Sequence, residues 1–491
     1  MRFFKKNFSL FSLLFSFITC EAGYFQQEVK YSIQVSLNDK THELSANETL
    51  IYKNNSAIIL KEIYFHLWPA AYKDKNTILA KEIFKSGDNR MLSAEERDLG
   101  TIDSLDFKVN GEKVQWNFLE DTIDICKIIL NKSLNSGDSI SISTPFHVKI
   151  PAAFLSRLGH SGQAYFITQW YPKPAVFDEN GWNYFPYLDQ GEYYSEFGSF
   201  DVYITLPENY LLSATGAIVD NDKENTWLTK NDSITRTLKI FPENDSTPLS
   251  SKIFKTLHFH QDKVHDFAWF ADKRWHVLKN STILPLSKRK ITTWAFFNNK
   301  EAKYWMKSPE YLQDAIQYYS EWVGEYPYDQ VTAVDVGDAT GNAMEYPMIA
   351  AIGNYGDPFE LEITILHETG HNWFYGILGS NERYHPWMDE GINNFYETRY
   401  VYTKYKNDSI HQLETKKAII FNRIILNRKI NHRKQQYYGY LSGARINLDQ
   451  SPNIYADKVS IQNYHPDIYY KTSISFDYLN PTSVIHCLML A

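Results

Sequence analysis

Cysteine is scarce in this chain, with only Cys20, Cys126 and Cys487 among 491 residues. That excludes a disulfide framework, so stability has to come from core packing. Beyond the N-terminus no apolar run is long enough to span a bilayer. Basic charge is not in excess either; the formal net charge of -8 gives no global sign of nucleic-acid binding. Aromatic residues, by contrast, are plentiful. At 16% aromatic, 43% hydrophobic and 22% charged, the composition is that of a folded globular protein. The length exceeds one ordinary core, so two or three domains are expected. Aromatic side chains fill such cores and also line clefts that hold peptides.

The first residues have the pattern of an export signal. Arg2, Lys5 and Lys6 precede an apolar run from Phe8 to Thr19, and small residues follow at Ala22 and Gly23. We expect a signal peptide over 1–22, cleaved after Ala22, and hence a periplasmic, cell-envelope or extracellular protein. Cys20 raises a lipid anchor as an alternative, although Thr19 directly before it is a poor context for lipidation.

Two halves follow. Residues 23–272 read as an antiparallel β-domain: YSIQVSLND (Tyr31 to Asp39) alternates strictly, and FDVYITLPENY and SISISTPFHVKI behave alike. KSGDNRMLSAEERD and DNDKEN read as loops between strands. Residues 273–491 change character to a helix-rich α+β pattern. Ser308 is placed to cap a helix opened by Pro309. VTAVDVG and EYPMIAAIG read as short strands. A second helix is capped by Asp357, opened by Pro358 and expected to close a capping box through Glu360. A third follows Pro386. Between Tyr402 and Gln436 the chain is basic, which suits a solvated helical face or a rim that attracts acidic peptides.

The second helix carries His367-Glu368-Thr369-Gly370-His371. Residues four apart share a helix face, so both imidazoles can reach one metal ion. Glu368 can then lean over an open coordination position and take a proton from water. A third ligand is needed, and Glu390 in WMDEG follows after eighteen intervening residues. Two histidines flanking an acid would be poor core residues without such a role. Three protein ligands leave one position open, as in catalytic rather than structural zinc sites.

HETGH, the eighteen-residue gap and WMDEG resemble the aminopeptidase N family of zinc peptidases, which also contains leukotriene A hydrolase. GNAMEYP (Gly341 to Pro347) is similar to that family's G-x-M-E-N exopeptidase motif, and YYKTSISFDYL resembles its catalytic tyrosine segment. The resemblance implies a β-domain followed by a thermolysin-like, mainly helical catalytic domain. It implies one zinc per chain held by His367, His371 and Glu390, with Glu368 as general base. It further implies that Glu345 binds the α-amine of a peptide with a free N-terminus. Gly341, Ala343 and Met344 would form an edge along the peptide backbone, and Tyr469, chosen over Tyr470 by its spacing to Lys471, would donate to the oxyanion. Tyr346 stands where the family has asparagine and Asn342 where it has glycine. The span from Glu390 to Tyr469 is also longer than the resemblance implies; the basic segment and the LDQSPNIYADKV loop account for the surplus.

The activity expected is therefore a zinc aminopeptidase. The alternatives are a thermolysin-type endopeptidase, which needs no amine anchor, and a catalytically impaired peptide-binding relative. Glu397, two helical turns after Glu390, is placed either to bond a ligand imidazole or to be an ordinary helix carboxylate. His258, His260 and His265 could mark a second metal or a histidine-bearing strand surface. Gln169 and Trp170 loosely match the family's segment near the substrate amine, or belong to packing. Tyr469 lies close to Ala491, and the final TSVIHCLMLA lacks the charge of a surface helix; the catalytic domain is expected to be truncated.

Overall fold

The computed structural model describes residues 24–242, 246–339, 343–405 and 432–479. The expected signal peptide, Cys20, Gly341, most of the basic segment and the final residues lie outside these.

Strict alternation builds the first sheet. In β1 (Glu28–Asn38), Val29, Tyr31, Ile33, Val35 and Leu37 are buried while every second residue faces solvent. Each such buried side chain contributes ~1.5–3 kcal/mol relative to exposure. β2 (Glu43–Lys53), β3 (Ser139–Lys149), β4 (Gly198–Pro207) and β5 (Phe254–Val264) join it in the order β5-β4-β1-β2-β3. This half is not wholly antiparallel. β1 pairs in parallel with β4, from Val29 opposite Gly198 to Ser36 opposite Thr205. Period-two patterning reports which face is buried, not which way a neighbour runs.

Two segments expected to be loops contain helix. Asn221 of DNDKEN caps a helix over Asp222–Thr237, its side chain accepting from Glu224 N at 2.9 Å. The acidic cluster there is a helix start, where negative charge and capping side chains satisfy free N–H groups. In KSGDNRMLSAEERD, short helical turns cover Arg90–Ser93 and Glu96–Asp98.

A second, five-stranded sheet starts after residue 272. Its strands are β6 (His276–Ile283), β7 (Lys290–Phe297), β8 (Gln330–Gly337), β9 (Met344–Tyr346) and β10 (Ile349–Gly353), in the order β6-β7-β8-β10-β9. β7, β8 and β10 run parallel, and α1 (Ser308–Trp322) makes the crossover from β7 to β8 that a parallel pair requires. Ser308 is inside α1 rather than its cap: Lys307 occupies that position, and the Ser308 hydroxyl donates to Trp305 O at 2.6 Å. The helices that frame the site follow: α2 (Pro358–Gly370), α3 (Ile392–Lys404), α4 (His432–Ala444) and α5 (Thr472–Tyr478).

Candidate active site

α2 starts at Asp357, whose carboxylate accepts from the backbone N–H of Phe359 and Glu360, with Pro358 in the first turn. Asp357 caps through these two bonds, while Glu360 lines the cleft described below. Leu361, Ile365 and Leu366 anchor the helix in the core, which leaves His367 and His371 one turn apart on the open side. Gly370 lets α2 touch its neighbours. A Cβ there would lie 2.1 Å from Asn393 Oδ1 and 2.6 Å from the Tyr319 ring. The contact it permits is a bond from Asn393 Nδ2 to His367 O at 2.7 Å.

Ahead of α3, residues Trp387–Gly391 form a widened π-type turn, and a second one spans Tyr464–Lys471. Such turns recur at functional sites because they re-aim side chains within a continuous helix. The first turns both Asp389 and Glu390 into the interior. Gly391 lets the two turns meet, since a Cβ on it would lie 2.4 Å from Thr472 Cβ and 2.7 Å from Ile468 O.

Three donor atoms converge. His367 Nε2 lies 3.1 Å from His371 Nε2 and 3.2 Å from Glu390 Oε2, and His371 Nε2 is 3.3 Å from Glu390 Oε2. A tetrahedral zinc with ligands at 2.0–2.1 Å has donor–donor edges of about 3.3 Å. The triangle is thus the size of one face of that tetrahedron, and a His2Glu donor set is a catalytic type. The far side of each imidazole is also fixed. His367 Nδ1 meets Glu397 Oε2 at 2.9 Å, and His371 Nδ1 meets Asp389 Oδ1. These carboxylates hold the proton on Nδ1 and leave Nε2 free for a metal. The residues present fit zinc.

Glu368 lies beside the triangle in the same cleft; burial pushes its carboxyl up to about 7, with Glu390 and Glu192 adding to the rise and His367 and His371 opposing it. The Tyr469 hydroxyl donates to Glu390 Oε1, and its ring lies 6.0 Å from that of His367. Tyr470 also lines the cleft, its ring packed against Gly439. Ala343, Met344 and Glu345 line the cleft from the edge strand β9. Donor atoms of Glu345, His371 and Asp389 lie within 4.8 Å of one another.

Several cleft residues carried no local signal in the sequence. Glu192 and Arg157 arrive from the β-rich half; they pair at 3.0 Å, and the Arg157 guanidinium also donates to Tyr193 Oη at 2.7 Å. Burial raises the Glu192 carboxyl, Arg157 opposes this, and Glu390 and Asp389 add to it. Glu345 is held well above the usual carboxylate range by burial and then by repulsion from Glu192. Tyr464 lines the same cleft with a buried, unpartnered hydroxyl. Asp389 was legible only as the neighbour of Glu390. The cavity spans about 1010 Å³ between the two halves.

Other expected residues sit elsewhere. Gln169 is buried in a network with Asp266 and Lys173. Trp170 donates to Phe267 O, so both belong to packing. His258 and His260 share Asp201 Oδ1, while His265 is buried with its ring 3.7 Å from that of Tyr375, so the three do not converge.

No family model matches the chain, and no curated protein matches it in sequence. Solved structures do. The M1 zinc metallopeptidase from Deinococcus radiodurans superposes with a TM-score of 0.54 at 13% identity, over 94% of this chain and 82% of that one. A variant from the same organism bound to a Tyr-Ser-Ala substrate gives 0.53 at 12%, over 93% and 82%. A two-domain M1 variant bound to L-arginine gives 0.52 at 12%, over 93% and 82%. The chain has the M1 metallopeptidase fold. Residues of both the β-rich half and the helical half line the cleft, and the expected order, a β-domain followed by a mainly helical region, is the one observed.

Proposed function

We propose that the chain is a zinc-dependent aminopeptidase that releases the first residue from peptides with a free N-terminus. One observation carries this reading: the Glu345 carboxylate, on the edge strand β9, lies within 4.8 Å of donor atoms of His371 and Asp389, beside the His367–His371–Glu390 triangle, and Glu192 lines the same cleft. A substrate ammonium between these groups favours their charged forms, against the burial that raises both carboxyls. In a peptide the α-nitrogen is about 2.5 Å from the first carbonyl carbon. An amine anchor must therefore sit next to the hydrolytic centre, and the spacing of Glu345 and His371 supports it. A thermolysin-type endopeptidase would gain nothing from these carboxylates.

His367, His371 and Glu390 would hold one zinc ion, which when bound supplies Lewis acidity toward the scissile carbonyl and toward water. Glu345 and Glu192 fix the ammonium and so the register of cleavage. Glu368 takes a proton from the attacking water and returns it to the leaving amine, a role suited to a carboxyl that titrates near the operating pH. The Tyr469 hydroxyl donates to the oxyanion that develops on the attacked carbon. Ala343 and Met344 offer a strand edge to the peptide backbone. Gly341, assigned to the same edge, lies outside the described residues. The same reading divides the chain at 272/273 and, with a signal over 1–22, makes it an exported enzyme. The decisive experiment is hydrolysis of an aminoacyl-coumarin panel with N-acetylated controls: turnover of the free-amine substrates alone is expected, and equal cleavage of blocked peptides would favour the endopeptidase.

A further inference from the structure

Behind the His367 ligand lies a second imidazole. Glu397 uses both carboxylate oxygens, Oε2 on His367 Nδ1 at 2.9 Å and Oε1 on His432 Nε2 at 2.6 Å. A carboxylate accepts from the ring N–H groups that face it. With His367 Nδ1 engaged in this way, Nε2, the atom in the donor triangle, is the one left for a metal.

His432 is in the first turn of α4, and α4 is keyed to α3 one turn later. Gln436 is buried there; it accepts from Thr398 Oγ1 at 3.1 Å and donates to Asn394 Oδ1 at 3.3 Å. Asn394, Glu397 and Thr398 share α3, so Gln436 sets the height at which His432 meets Glu397. The backing of the other ligand differs. Asp389, behind His371, has Glu382 as its neighbour, whose Oε2 accepts from Tyr193 N at 3.1 Å.

We infer that His432 is a positioning residue for the metal centre: by donating to Glu397 it fixes the orientation of that carboxylate and, through it, the tautomer and tilt of the His367 imidazole. This rests on the zinc reading above. His432 lines the same cleft but bonds to Glu397 rather than to an atom of the donor triangle, so its influence is read in metal affinity before it is read in turnover.

The test is competitive titration of zinc-depleted full-length protein with zinc against a chromophoric chelator, together with thermal unfolding of the same metal-free samples. Wild type, Glu397→Gln, His432→Ala, His432→Gln and the double variant Glu397→Gln/His432→Ala are compared. His432→Ala should weaken zinc roughly tenfold, the low end of effects seen for groups behind a ligand. Its metal-free unfolding temperature should stay near wild type. His432→Gln, whose amide can still donate, should recover most of the affinity. In the Glu397→Gln background, His432→Ala should add nothing further. Wild-type affinity in His432→Ala would overturn the inference while leaving the proposed function standing. So would an equal loss in His432→Ala and His432→Gln accompanied by a lowered metal-free unfolding temperature. Wild type that binds no zinc would overturn the proposed function and this relay together.

Discussion

Gly391→Ala adds one methyl group where two π-type turns cross. Backbone conformation is not the obstacle, because Gly391 has φ of -72°, which alanine adopts freely. Alanine is also the better helix former by about 1 kcal/mol. The obstacle is space. The new Cβ would stand 2.4 Å from Thr472 Cβ, 2.5 Å from Thr472 Cγ2 and 2.7 Å from Ile468 O. Ordinary carbon contacts are ~3.5–4.0 Å, so the turn bearing Ile468, Tyr469 and Thr472 has to retreat by about 1 Å. Glu390 precedes the substituted residue and Tyr469 follows Ile468, so the retreat opens the gap between the Tyr469 hydroxyl and Glu390. Misplacement of that size costs about 10²-fold in turnover, and overpacking costs about 1–3 kcal/mol in stability. Steady-state aminoacyl-coumarin hydrolysis, zinc content and thermal unfolding measure the three consequences. Turnover should fall about 10²-fold with zinc retained, and Thr472→Gly in the same chain should restore part of it. Full turnover and unchanged unfolding in Gly391→Ala would refute the argument that this glycine sets the distance between the turns.

Other substitutions separate the remaining roles. Glu368→Gln should keep zinc, by elemental analysis, and lose about 10²–10⁴-fold in turnover. Glu345→Ala should weaken free-amine substrates by about 2–5 kcal/mol, because a desolvated ammonium loses its partner; kcat/KM for free and N-acetylated substrates reads this directly. Tyr469→Phe should lower turnover about 10²–10³-fold and Tyr470→Phe should not. Glu196, remote from the cleft, gives a pH signature. Burial raises its carboxyl to about 8, although it accepts from Phe177 N. A carboxyl raised on folding binds more protons folded than unfolded, so its contribution is complete below about pH 4.3 and is lost as pH rises toward 8. Glu196→Gln, which keeps the acceptor, should match wild type near pH 4 and exceed it by up to several kcal/mol near pH 8 in denaturant unfolding.

The donor triangle was legible because local geometry carries it. A helix repeats every turn, so His367 and His371 announce a shared face, and Glu390 follows at a set distance in one chain segment. The inward face of β1 was legible for the same reason. What depends on contacts between distant segments was not. Glu192 reaches Glu345 from the other half of the molecule, and nothing around it marks it as different from any acidic residue near an aromatic run. His432 reaches Glu397 from another helix. The direction of β4 beside β1 is likewise set by the route of the intervening chain, which strand alternation does not encode. DNDKEN was misread because capping residues and loop residues are the same chemical types.

The central place of β1 bears on how the protein is made. β1 is synthesised well before β4, yet it is flanked by β2 on one side and by β4, Gly198–Pro207, on the other. The early hairpin therefore carries an open row of backbone donors and acceptors until the ribosome has delivered β4. An unpaired edge with Val29, Ile33 and Val35 on one face is a template for wrong strands. The long-range pairing that covers it is also intrinsically slow. Yield in an expression host should therefore depend on what shields that edge during synthesis, before any question of metal or catalysis arises.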